Sequence, residues 1–343
     1  MRLGQFPQLL KKSLFGLVLL LGGVLPHLVM AADYATIIMY HRFGEGRYPS
    51  TNISIEQFEA HLDLLSSADY TVMDVAEITR RLQAGESLPD RTVGITIDDA
   101  YLSVYEEAWP RLKERGFDFT LFVATDPIDR NLRGYMNWDQ LRELQEAGVT
   151  MGSQTKSHPH MHRISAEQVE AELALSNERF ISELGARPSL FAYPYGEYSL
   201  SVLDAVKRAG FTAAFGQSSG VMHSQDRFFE LPRFAFNENY GTVDRLKLAA
   251  ESKPLVVSDI TPADMVLSEN PPLYGFTIDA RHMPASTLNC FASDYGKVQV
   301  QLLGQRAEIR LPGPMSGPRG RINCTLSAGA GRWHWLGRQF LTR

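Results

Sequence analysis

Asp98 and Asp99 stand side by side at the end of the apolar run Val93–Ile97, with a helix pattern directly behind them. Successive residues at a strand end point to different sides, so two neighbouring carboxylates can take separate tasks. One can hold a cation while the other stays free to take a proton from water. An acidic N-cap for a helix over Ala100–Gly116 is the competing explanation of Asp99. A second cluster, Gln154-Thr155-Lys156-Ser157-His158-Pro159-His160-Met161-His162, follows the strand candidate Val149–Ser153. In an extended loop His158, His160 and His162 share a face, and imidazole with carboxylate suits an ion such as zinc with water in an open position. A polar surface loop with incidental histidines is the alternative. The third motif, Tyr193-Pro194-Tyr195-Gly196-Glu197-Tyr198, ends the strand candidate Leu190–Tyr193. Its Pro-Tyr-Gly turn can hold a backbone N–H toward a ligand, and its rings suit sugar faces. A plain strand-to-helix turn accounts for it equally well.

Residues 35–253 supply the elements that must position these motifs. Short β-branched runs alternate there with amphipathic helices, the pattern of a parallel sheet with crossover helices. The strand candidates are Thr36–Tyr40, Tyr70–Met73, Val93–Ile97, Phe119–Val123, Val149–Ser153, Leu190–Tyr193 and Ala213–Phe215. Ser54 with Gln57, Asn137 with Gln140, and Ser165 with Gln168 read as capping boxes. Gly116, Gly148, Gly185 and Gly210 read as helix stops. Seven strand–helix units with chemistry at several strand ends predict a barrel one unit short of the eight-fold form. After Lys253-Pro254, prolines punctuate short alternating runs and no helix period remains, which predicts a small all-β unit over residues 254–343. Trp333 and Trp335 share a face of its last strand and are expected in a core, with a sugar-stacking platform as the alternative.

Residues 1–31 carry the marks of a signal peptide: a basic start (Arg2, Lys11, Lys12), the apolar run Leu14–Leu25, and the small-residue exit Val29-Met30-Ala31. That predicts a periplasmic or secreted protein, with an uncleaved anchor as the alternative. In an oxidising compartment Cys290 and Cys324 are expected to pair. The chain carries −5 overall, and residues 254–343 hold nine Arg/Lys against six Asp/Glu, which leaves −11 for residues 32–253. Such an acidic body argues against nucleic acid as a partner. The seven arginines between Arg306 and Arg343 offer contact to an anionic glycan or a membrane, or are ordinary solvated strand positions.

In order and spacing, the three motifs resemble the polysaccharide deacetylases, the NodB-homology group also known as carbohydrate esterase family 4. Met39-Tyr40-His41-Arg42-Phe43 is similar to the branch that modifies exported poly-N-acetylglucosamine. The resemblance implies a distorted (β/α)7 barrel over residues 32–253 and hydrolysis of N-acetyl groups on a hexosamine polysaccharide. It further implies a divalent metal, zinc or alternatively cobalt or nickel. Carried onto this sequence, it makes Asp98 the general base, Asp99 and His158 metal ligands, and Tyr195 the donor of an oxyanion-holding N–H. Tyr193, Pro194, Arg233 and His41 are then expected beside the substrate, with Arg233 also able to bring positive charge to Asp98 and a buried, hydrogen-bonded imidazole as the alternative for His41. Gln154 stands where the family's motif has its first histidine ligand, with His160 or His162 as stand-ins if the loop bends inward. The third motif lacks the family's arginine, and no Leu-x-His supplies a general acid, His223 being the nearest candidate. Two functions follow: a metal-dependent deacetylase, or a non-catalytic glycan-binding relative.

Overall fold

The computed structural model describes residues 31–342, together with Met1. The expected signal segment falls almost wholly outside these residues. Seven parallel strands form the barrel: β1 (Tyr34–Tyr40), β2 (Thr92–Asp98), β3 (Thr120–Val123), β4 (Thr150–Ser153), β5 (Leu190–Ala192), β6 (Ala213–Phe215) and β7 (Phe234–Ala235). They pair in the ring order β6-β5-β4-β3-β2-β1-β7. The ring closes through one parallel bridge, Phe215 to Leu231, three residues before β7 begins. Strands buried on both faces need apolar, β-branched sequence, and every residue of Thr92-Val-Gly-Ile-Thr-Ile-Asp98 is buried.

One strand candidate is placed differently. Thr71–Val72 pairs with only the first two residues of β2 and lies off the ring. The seventh stave is Phe234–Ala235, because that segment finds a free edge on β1 at Ile38 and Met39. The helix signals are realised as written. Ser54, Asn137 and Ser165 each make a reciprocal capping box, and Gly185 caps its helix in the left-handed conformation.

Gly152 shows how tightly the rim is packed. A Cβ there would lie 2.3 Å from the ring of Phe122, and overpacking of this kind costs about 1–3 kcal/mol. Gly152→Ala is therefore expected to lower the unfolding free energy measured in urea by that amount, and an unchanged value would show that Phe122 can move aside.

Eight further strands form the second unit: β8 (Lys253–Pro254), β9 (Val257–Thr261), β10 (Tyr274–Ile278), β11 (Asn289–Ala292), β12 (Gly296–Leu303), β13 (Arg306–Arg310), β14 (Arg319–Ser327) and β15 (Trp333–Leu341). They run in the order β8-β15-β14-β11-β12-β13-β10-β9. β12 pairs with β11 through residues 296–298 and with β13 through residues 299–303, so one strand passes from one half of the sheet to the other. Cys290 and Cys324 face each other across β11 and β14 and are joined as a disulfide.

Two expectations for this unit are corrected. Trp335 packs edge-on against Phe234 of the barrel at 5.4 Å, and Trp333 is exposed, so neither fills the β core. The arginines do not make a free basic face. Arg332 holds Asp90 with two bonds of 2.7 and 3.0 Å, and Arg338 reaches Glu230 at 3.0 Å. Arg306 and Arg310 both hold Glu308. The contact with an anionic glycan or membrane is therefore not supported: guanidinium groups spent on carboxylates are unavailable to a partner. No helix among the described residues is long and apolar enough to cross a membrane.

Candidate active site

The three motifs meet at the carboxyl ends of β2, β4 and β5, the rim where barrels of this kind carry chemistry. Asp98 is fully buried, and both of its carboxylate oxygens accept from Arg233, Oδ1 from Nη1 at 2.7 Å and Oδ2 from Nη2 at 2.9 Å. Arg233 is itself fully buried and also donates to Thr96 Oγ1 and to the Gly216 carbonyl. Its expected place beside substrate is thus corrected. It lies inside the barrel beneath Asp98, where a polymer cannot reach it. His41 lies on the open side, with Nε2 3.9 Å from Asp98 Oδ2.

Asp99 is not a helix cap. It and Ala100 both have positive φ, 75° and 52°, and the helical turns begin only at Val104 after a Ser103 whose side chain makes no cap bond. That backbone aims the Asp99 carboxylate across the rim, with Oδ1 3.4 Å from His158 Nε2. His158 (φ 59°), Thr155 (71°) and Tyr195 (59°) share the left-handed conformation. Such residues cost about 1–3 kcal/mol each. Nine non-glycine residues among those described have positive φ, and five of them belong to these three motifs. Strain is concentrated where the motifs meet.

Gln154 is buried, and its side-chain Oε1 accepts from the backbone N–H of Asp99 at 3.0 Å. Only the oxygen can take that bond, so the orientation of the amide is fixed by chemistry. The remaining NH2 group cannot bind a cation, and a neutral amide oxygen already accepting is a poor third donor. As a ligand Gln154 could offer only the second lone pair of a neutral oxygen, a weak donor beside Asp99 and His158. Nor does the loop bring in a substitute. It is not extended: His158 is left-handed and Met161–Arg163 forms a 3-10 turn. His160 and His162 both turn their Nδ1 atoms toward Oε2 of buried Glu197, at 2.5 and 3.5 Å. Among the described residues no three His, Cys, Asp or Glu side chains form a group that could hold a metal ion. A catalytic zinc site uses three protein donors. Asp99 and His158 give two, so the side chains present do not fit the full site.

Tyr195 stands between the two histidine groups. Its ring stacks on His160 at 4.1 Å and meets His158 edge-on at 4.6 Å. Burial, with Asp99 and Glu197 nearby, pushes its phenol pKa up, so it stays protonated. Tyr193 and Pro194 are buried, and the Tyr193 hydroxyl donates to the Phe229 carbonyl. They support the turn from below, which corrects their expected contact with substrate. His223 pairs with Tyr34 at the opposite end of β1 and faces Asp226, far from any role as acid at this rim.

Several residues near the site were not singled out in the sequence. Glu197 is one, although it follows the Pro-Tyr-Gly turn directly and a carboxylate there was a usable signal. On the other flank the Arg42 guanidinium lies 3.3 Å over the Tyr101 ring, which also packs on Tyr135 at 4.9 Å.

A barrel of seven parallel strands with this rim defines the polysaccharide deacetylase fold, and the sequence model of that family, Polysaccharide deacetylase, matches residues 85–214. Over those residues the chain is similar to this family. Among its relatives, the poly-beta-1,6-N-acetyl-D-glucosamine N-deacetylase of Staphylococcus aureus strain MRSA252 is 24% identical over 227 residues, covering 62% of this chain and 77% of that protein. The solved structure of IcaB from Ammonifex degensii matches with a TM-score of 0.56 and 25% identity, over 64% of this chain and 96% of that one. The Streptococcus pyogenes deacetylase PplD, solved in complex with acetate, matches with a TM-score of 0.59 over 64% of this chain and 98% of that one; at 21% identity it speaks for the fold alone.

Proposed function

We propose that this chain is an exported member of the deacetylase family whose barrel rim binds an N-acetylhexosamine polysaccharide and hydrolyses it poorly or not at all. Gln154 carries this reading: its oxygen is committed to the Asp99 amide, which leaves Asp99 and His158 as a two-donor remnant. A neutral amide in place of imidazole lowers affinity for zinc, cobalt or nickel alike. Binding is supported by the flat stack of Tyr195 and His160 on one flank and by Tyr101 and Tyr135 on the other, since aromatic faces suit sugar rings. The polymer class is taken from the N-acetylglucosamine named for the S. aureus relative.

Working deacetylation is the second reading. The 3.4 Å approach of His158 to Asp99 favours it, because it keeps an imidazole and a carboxylate together at the rim. On that reading Asp98, oriented by Arg233, takes the proton from water, and the Tyr195 N–H faces the developing oxyanion. Such a metal would supply the Lewis acidity at Asp99 and His158.

One preparation separates the two. Purified protein is given N-acetylglucosamine oligomers, and metal content, released acetate and bound oligomer are measured together. Retained binding with substoichiometric metal and no acetate is the expected result. Stoichiometric metal with steady acetate release would overturn it in favour of the enzyme.

A further inference from the structure

Where the β unit meets the barrel rim, a cavity of about 820 Å³ opens beside the histidine loop. Its walls come from both units: His162 and Arg163 from the loop, Val266, Asn270, Met315 and Thr342 among those from the β unit. Ligand clefts fall in this size range and mix apolar walls with a few polar groups.

The cavity adjoins the rim through a fixed set of contacts. The His160 and His162 rings are 6.1 Å apart, and His160 is the ring stacked on Tyr195. His160 donates through Nδ1 to Glu197, and Arg319 at the start of β14 approaches the other Glu197 oxygen, with Nε 3.5 Å from Oε1. A buried carboxylate shared by the histidine loop and β14 holds the Tyr195 stack and the cavity wall in one fixed relation. The next residue back from Arg319, Pro318, lines the cavity.

We infer that this cavity is a second sugar subsite, which receives the hexosamine unit next to the one at Asp99 and His158, so that the β unit forms part of the polysaccharide cleft. The inference rests on the binding function proposed above and adds the direction of the chain: from the Asp99–His158 pair, past Tyr195 and His160, into the seam. A hexosamine unit offers an apolar face to Val266 and Met315. Its hydroxyl groups face Arg163, whose Nε–H among the described residues donates to its neighbour His162.

The test compares the full chain with Thr342→Trp, which places an indole at the cavity wall, and with Arg163→Ala at an exposed position. Binding of N-acetylglucosamine oligomers of one to six units is measured by calorimetry. For the native chain, affinity is expected to climb about tenfold as the oligomer becomes long enough to enter the seam. Thr342→Trp removes that step, and Arg163→Ala reduces it. An equal length dependence in all three proteins would overturn the seam subsite while leaving rim binding intact. Failure of the native chain to bind any oligomer would overturn both.

Discussion

Arg233→Ala is expected to destabilise the fold by about 3–5 kcal/mol, the cost of leaving one partner of a buried ion pair without the other. Both side chains of the pair are fully excluded from solvent, and both oxygens of Asp98 accept from the same guanidinium. Urea unfolding of the native and variant chains measures the difference. The double replacement Arg233→Met with Asp98→Leu is expected to recover most of it, because removing both charges also removes their desolvation cost. A single-variant cost below about 1 kcal/mol would show that water reaches Asp98 once Arg233 is gone. The pair would be kept for folding whether or not the protein turns over substrate. Its presence therefore says little about activity.

Gln154→His carries the second large effect. The substitution exchanges an amide oxygen held by the Asp99 N–H for an imidazole nitrogen beside the Asp99–His158 pair. Partners outside the ligand shell already change metal affinity about 10–100-fold, and a third direct ligand is worth no less. Zinc affinity measured by competition with a chelator is expected to rise by at least that range, with acetate release from N-acetylglucosamine oligomers rising in step. A rise in metal without acetate would place the defect elsewhere, most directly at Asp98, whose oxygens are both engaged by Arg233. No rise in metal would show that the buried pocket turns the new ring away from Asp99. Gln154 also closes a three-centre bond with the Phe122 carbonyl on the Asp99 N–H, so histidine there must leave that amide with Phe122 alone.

The sequence displayed most of the barrel because helices begin and strands end with local signals. Ser54, Asn137 and Ser165 announce their helices through side chains three residues away. The last stave, Phe234–Ala235, is two residues long and exists because β1 offers an edge; no period can reveal a strand of that length. At the site, Asp98, Asp99, His158 and Tyr195 were legible as residue types at strand ends. The course of the loop was not, since it depends on left-handed turns at Thr155 and His158 and on the pull of Glu197 upon His160 and His162. Arg233 illustrates the same limit from the other side. Its nearness to Asp98 could be read from the chemistry, but a fully buried arginine is improbable from its type alone, and so it was expected at the surface of the cleft.

The arginine ties of the β unit bear on how the chain can be divided. A cut at residue 253 follows the change in sequence texture, yet it would strip Asp90 and Glu230 of Arg332 and Arg338, and take Arg319 from beside Glu197. It would also sever the run into β8 and β9 and uncover the Phe234 ring that Trp335 shields. Three carboxylates would gain unbalanced charge at once, one of them buried under the rim. An isolated barrel would thus lose the Arg319 contact to Glu197 at the rim itself. The smallest piece that keeps these contacts is both units together.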